Sequence, residues 1–162
     1  MCGAVDHAAV GDRHFAMDPK RQVRREITIR PARFTDLAAI DAIQSASPEA
    51  VHWNPTDYLK HDCRVCDLNS CVAGFLVTRE VAPGESEILN LAVDPAERRT
   101  GIARRLLADA LAQAKGAWFL EVRASNEAAI RLYESAGFHR AGRRPQYYYE
   151  PAEDAIVMRF FS

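Results

Sequence analysis

The 162-residue sequence has no apolar run long enough to cross a bilayer, no internal repeat and no low-complexity tract. It also has almost no charge imbalance, since 21 Lys and Arg against 22 Asp and Glu leave a formal net charge of -1. The first absence excludes a membrane-spanning helix, and the second excludes a solenoid or a low-complexity linker protein. The third leaves no electrostatic footprint for nucleic acid or an anionic membrane, so a macromolecular partner has to be recognised locally. Residues 1 to 26 contain no apolar segment of signal-peptide length, and the expectation is a cytoplasmic protein.

Cysteine is sparse. Cys2, Cys63, Cys66 and Cys71 are the four present, and His61-x-Cys63-x-x-Cys66 has zinc-like spacing. Cys63 to Leu68 and Cys71 to Val77 read instead as two strands of a hairpin turning at Asn69-Ser70, where small buried cysteines are common and a four-ligand cage would disrupt pairing. The expectation is that no metal is bound.

What is present fits one domain with a substantial core: 48% hydrophobic and 27% charged residues. Residues 1 to 26 end in the basic run Lys20-Arg21-Gln22-Val23-Arg24-Arg25. They read either as a disordered tail or as an over-extended start with the initiator at Met17; disorder is expected in both cases, with the folded domain over 27 to 162. Ile27-Thr28-Ile29-Arg30 alternates as a strand, and Thr35-Asp36 caps a helix that buries Leu37, Ile40 and Ile43. A short helix is expected near Thr56 to Lys60. Ile88 to Val93 is apolar enough for a central strand, with Asn90 where pairing loosens. Trp118 to Arg123 is the next strand, a helix runs over Glu127 to Ser135, and Phe138 to Arg144 and Asp154 to Phe161 form a final pair around a loop carrying Tyr147, Tyr148 and Tyr149.

The chain is organised around residues 90 to 133. After Asp94-Pro95 comes Arg98-Arg99-Thr100-Gly101-Ile102-Ala103, then Ile102, Leu106, Leu107, Ala110, Leu111 and Ala114 at helical spacing, with Gly116 as the stop. A helix start leaves N–H groups without partners and carries the positive dipole end, so it attracts phosphate; Gly101 and Ala103 leave those amides unshielded, and Arg98, Arg99 and Arg104 add charge. The other reading of the loop alone is a solvated turn before an ordinary helix.

Taken in order, Leu91-Ala92-Val93-Asp94-Pro95, Arg98-x-x-Gly101-x-Ala103, Leu120-Glu121-Val122-Arg123, Asn126 and Leu132-Tyr133-Glu134-x-x-Gly137-Phe138 resemble the GNAT N-acetyltransferases, from about Ile27 to the C-terminus. Residues 85 to 160, with Arg143-Arg144 and Tyr147 to Tyr149, are most similar to the bacterial ribosomal-protein-alanine N-terminal acetyltransferases. The resemblance implies an α/β GNAT fold, a mixed, mostly antiparallel central sheet flanked by helices. It implies acetyl-CoA as acetyl donor, with Leu91, Ala92 and Val93 pairing with the pantetheine arm, Arg99, Thr100, Gly101, Ile102, Ala103 and Arg104 around the pyrophosphate, and Asn126 on the cofactor arm or capping a helix.

Glu121 falls on the family's base position and Tyr133 on its acid position. Read from the residues alone, Glu121 is better taken as an ion-pair partner of Arg123, and Tyr133 as a core aromatic sharing a helix face with Ile130. A backbone N–H of Leu91 to Val93 is the expected polariser of the thioester carbonyl. Trp53 and Tyr147 to Tyr149 line a peptide groove or pack on the sheet edge; Pro145-Gln146-Tyr147 departs from the Arg-Arg-Asn-Tyr-Tyr pattern, and the helix after the loop is about one turn short. The expected partner is a protein or peptide N-terminus, above all an N-terminal alanine of a small-subunit ribosomal protein, with no direct contact to nucleic acid or membrane. The alternatives are a small-molecule amine or lysine side chain as acceptor, or a non-catalytic acetyl-CoA sensor.

Overall fold

The computed structural model describes residues 25–162, so the expected disorder of residues 1 to 26 falls almost wholly outside the described residues. Glu26 is already tied to the hairpin: Asn69 N–H donates to its carbonyl at 3.0 Å and its own N–H donates to Asn69 Oδ1 at 3.0 Å. The elements in order are β1 (Ile27–Pro31), a 3-10 turn (Phe34–Asp36), α1 (Leu37–Ser45), α2 (Pro55–Tyr58), β2 (Asp62–Leu68), β3 (Cys71–Ala82), β4 (Glu85–Val93), a second 3-10 turn (Pro95–Glu97), α3 (Ile102–Gln113), β5 (Ala117–Arg123), α4 (Glu127–Ser135), β6 (His139–Tyr149) and β7 (Ala152–Phe161).

The strands form one seven-stranded sheet ordered β1-β2-β3-β4-β5-β7-β6. Every neighbouring pair is antiparallel except β4 and β5. Asn69 and Ser70, both at positive φ, close the β2–β3 hairpin as expected for a tight two-residue turn. Strand alternation divides the core in two. Val65, Phe75, Val77 and Ala92 meet Leu37, Ile40, Ile43 and Tyr58 on the α1 and α2 face. Leu76, Ile88, Leu120, Val122 and Met158 meet Ile102, Leu106, Leu107, Ile130 and Tyr133 on the α3 and α4 face.

Three local expectations change. Asp36 stands at the N-cap of α1 but its side chain makes no capping bond to that helix; it accepts Arg33 N–H at 2.7 Å inside the preceding turn and holds Arg30 through bonds of 2.8 and 2.9 Å. α3 ends at Gln113, short of Gly116, which serves the approach to β5 instead: at φ 120°, its missing Cβ would lie 2.2 Å from the Gly84 carbonyl oxygen. Tyr147 to Tyr149 lie within β6 rather than in a loop, although the ladder to β7 breaks between Arg144 and Tyr148. Proline lacks a donor, so Pro145 cannot continue that ladder.

The feature that shapes the site is in β4. Val77 faces Asn90 and Thr78 faces Ile88, leaving Leu89 as an extra, bulged residue. The parallel pairing of β4 with β5 stops at the same place, with Ile88 opposite Leu120 as its last pair. Beyond it β4 continues on β3 and β5 continues on β7, and the sheet opens. The bulge also aims Asn90 into the α1 and α2 layer, where its Nδ2 donates to Val51 O and to the Tyr58 hydroxyl, each at 2.8 Å. Tyr58 donates in turn to Gln44 Oε1 at 2.8 Å, and Gln44 Nε2 donates to Trp53 O at 2.7 Å. This buried chain fixes residues 51 to 53 against the open edge.

Asn90→Ala removes the donor common to Val51 and Tyr58, at a cost of about 1–3 kcal/mol for buried groups left unpaired. The expected result is a lower urea midpoint with an unchanged m value; an unchanged midpoint contradicts the network.

Candidate active site

The opening in the sheet is a cleft of about 770 Å³. Its walls bring together Leu91, Ala92, Val93, Arg99, Gly101, Ile102, Ala103, Arg104, Glu121, Asn126 and Tyr133, which are the sequence-derived site residues except Thr100. Thr100 instead closes the turn before α3, its hydroxyl donating to the Glu97 carbonyl.

One wall is the bare edge of β4 past Ile88, whose outward peptide groups have no strand partner. The floor is the start of α3. Gly101, at φ 86°, is its N-terminal cap, a conformation that costs an L side chain about 1–2 kcal/mol even though open space surrounds the missing Cβ. Within the protein, the requirement for glycine is thus conformational. Ile102 sends its side chain into the core and leaves its amide at the cleft. Arg99 and Arg104 are exposed and make no ion pair among the described residues. Arg98 differs: its Nη2 reaches across to Ser47 Oγ at 3.2 Å and Glu49 Oε1 at 2.9 Å, tying the loop to the segment after α1. An unpaired strand edge, the first amides of a twelve-residue helix and two free guanidiniums suit a ligand with amides at one end and phosphates at the other.

Asn126 performs its capping role, accepting Ala129 N–H at 3.2 Å, and also lines the cleft. Tyr133 packs edge-on against Phe138 with ring centroids 5.6 Å apart, and it too lines the cleft. Burial pushes its phenol well above the ordinary tyrosine value, so the ring keeps its proton. Core packing and a position at the cleft are both true of it.

A second groove, of about 1080 Å³, runs along the other side of the opening, lined by residues 48 to 53, Glu87, Ile88, Leu89, and residues 144 to 150. Trp53 stacks on Tyr58 with centroids 5.8 Å apart, and Tyr147 meets Tyr148 edge-on at 5.1 Å. Arg123 lies 4.2 Å above the Tyr148 ring, whose phenol burial pushes up to about 12. Tyr149, 87% exposed, contributes only to the rim.

Glu121 lines both clefts, as do Arg123 and Tyr148. The ion pair expected between Glu121 and Arg123 does not form. Arg123 turns to the β6–β7 end, pairing with Glu153 at 3.4 Å and donating to Pro151 O at 3.0 Å and Glu150 O at 3.2 Å. The partner of Glu121 is Arg144, with Nε 3.0 Å from Oε1. Interaction with the Glu121 carboxylate, followed by burial, raises the Tyr147 phenol. Sequence reasoning missed Arg144 as a contact of Glu121, and missed the roles of Asn90 and Arg98. The pair Arg143-Arg144 was visible, but only the broken ladder of β6 reveals which one turns inward.

Among the described residues no group of three His, Cys, Asp or Glu side chains could hold a metal ion. Burial pushes the Cys63 thiol up to about 12 and raises that of Cys66, which disfavours the thiolate that a metal would need. No helix among the described residues is long and apolar enough to cross a membrane.

Residues 32–138 match the acetyltransferase (GNAT) family model. The N-alpha-acetyltransferase RimI of Mycobacterium tuberculosis is 44% identical over 88 residues, 54% of this chain and 56% of that protein. The [ribosomal protein bS18]-alanine N-acetyltransferase of Escherichia coli is 43% identical over 96 residues, 56% of this chain and 64% of that one, so the chain spans less than two thirds of the length of these relatives. In three dimensions, the crystal structure of the ribosomal-protein-S18-alanine N-acetyltransferase from Escherichia coli superposes with a TM-score of 0.72 at 34% identity, covering 83% of this chain and 93% of that one. The fold is thus shared with that enzyme, and the chain belongs to the GNAT acetyltransferase family.

Proposed function

We propose that this chain, as a single domain from about residue 27 onward, transfers acetyl from acetyl-CoA to the N-terminal α-amino group of a protein, with an N-terminal alanine of a small-subunit ribosomal protein as preferred acceptor. The observation that carries this reading is the meeting of two clefts at Glu121, one with a bare strand edge and cationic floor, the other lined by aromatic rings. The likeness to the bS18-alanine enzyme supports the acceptor. The reading includes a cytoplasmic location, no metal, and no direct contact with nucleic acid or membrane.

The donor substrate supplies a thioester, and the chain's residues do the rest. Amides of Leu91 to Val93 bind the donor arm and polarise its carbonyl, with Asn126 beside them; Arg99, Arg104 and the amides of residues 101 to 103 take the phosphates. The acceptor nitrogen attacks the carbonyl carbon, a C–N bond forms and the C–S bond breaks. Glu121 receives the proton that the amine loses, directly or through water, and Tyr133 donates one to the departing sulfur. An α-amino group, with a pKa of about 7.7–8.0 against about 10.4 for lysine, needs only a weak base near neutrality.

A thiol-release assay with acetyl-CoA tests the acceptor: turnover is expected to be faster on a peptide with a free N-terminal alanine than on free amines or an internal lysine. Faster turnover on free amines discards the acceptor. Glu121→Gln and Tyr133→Phe are each expected to lower kcat by about 10²–10⁴-fold while leaving acetyl-CoA binding within twofold; full activity in either removes that residue from the reaction. The pH profile of kcat/KM is expected to rise as the acceptor amine deprotonates, then stay level to about pH 10, because the raised Tyr133 phenol remains protonated beyond the ordinary tyrosine range. A descending limb between pH 8 and 10 that vanishes in Tyr133→Phe contradicts the raised phenol, because Tyr133 would then lose its proton within the ordinary range.

A further inference from the structure

Glu121 is already occupied in the free protein. Its side chain is 12% exposed, and Arg144 reaches it from the aromatic groove as an ion pair with Nε 3.0 Å from Oε1, beside Tyr147, whose phenol the Glu121 carboxylate raises. The Arg144 side chain is 59% exposed, so it extends from the surface of β6 inward to the carboxylate. The backbone beneath is fixed. Arg143 Nε donates to Asp154 Oδ2 at 2.6 Å, Gln146 N–H donates to Asp154 Oδ1 at 2.8 Å, and Arg144 and Tyr148 pair with Ala155 and Glu153 of β7. Arg144 stays in the ladder and residues 145 to 147 leave it, so the guanidinium can quit Glu121 by rotation of an exposed side chain.

A guanidinium ion-paired with a carboxylate occupies the position that an incoming amine needs. Resting on the reading of Glu121 as the base, we infer that Arg144 is a specificity-determining residue: it stands in for the acceptor amine and yields to an acceptor whose peptide body also fills the groove of Trp53, Tyr147 and Tyr148. A small free amine brings one polar group against a partner tethered at high local concentration. A peptide adds contacts along the groove, and these offset the displacement. A partly exposed pair of this kind discriminates by about fivefold, which corresponds to roughly 1 kcal/mol.

The test compares wild type and Arg144→Gln by thiol release with an N-terminal alanine peptide and with alanine amide. The variant is expected to raise kcat/KM for alanine amide about fivefold through KM, with a smaller rise for the peptide, and added guanidinium ion is expected to inhibit the variant competitively against alanine amide. A fall in kcat on both acceptors overturns the inference, because Arg144 then aligns the base; so does an unchanged ratio between the acceptors. A second readout needs no turnover. The Nε–H resonance of Arg144, identified by its loss in the variant, is expected to shift when CoA and the free-amine peptide are added and to stay put with the N-acetylated peptide. A resonance indifferent to the free-amine peptide overturns the inference even where wild type turns over normally. A responsive resonance in a protein that releases no thiol from any acceptor instead removes the catalytic reading.

Discussion

Backbone N–H and C=O groups inside a fold must find partners, and β4 is built so that some do not find them in the protein. Its parallel partner is lost after Ile88, yet the strand runs on to Val93 along β3. The bulge at Leu89 makes this geometry local rather than a general fraying, because pairing on the β3 side resumes at once at Asn90. What remains is a rigid edge with hydrogen-bonding capacity facing a cleft. That edge could pair with a ligand carrying amide groups, and α3 starts at the same cleft.

The rest of the molecule keeps that edge open and aimed. The α3 and α4 layer buries Leu120 and Val122 beneath β5, which leaves the alternate residues Glu121 and Arg123 on the face toward the acceptor groove. The other layer reaches the same place through Asn90, Tyr58 and Gln44, holding residues 51 to 53 as a shared wall. The two sides differ in character. The donor side offers unpaired cations and backbone amides, whereas the acceptor side offers aromatic faces and arginines already engaged with carboxylates or rings. Glu121 sits between them, and Tyr133, kept neutral by burial, reaches the cleft from the opposite layer.

Much of this was legible in the sequence because the signals were local and periodic. The helix over Glu127 to Ser135, its Asn126 cap, the Asn69-Ser70 turn and the apolar central strand all follow from spacing and turn chemistry. The loop Arg98 to Ala103 pointed to its function only when read together with Glu121, Asn126 and Tyr133 as an ordered set. What stayed hidden was long-range. The Arg144 contact depends on a ladder break in β6 that sequence assigned to a loop, and Arg98 turns toward Glu49, a residue 49 positions away. Arg123 seemed the natural partner of Glu121 because both project from one face of β5, but alternation fixes a side of the sheet and not the partner found there.

Residue-resolved amide hydrogen exchange, with and without acetyl-CoA, tests the central claim most directly. The account predicts slower exchange for the amides of Leu89 to Val93 that β3 leaves unpaired, and for those of residues 101 to 104, with little change in β1 and β2. Unchanged exchange along that β4 edge under saturating acetyl-CoA would contradict it, since the open strand would then not be where the donor is held.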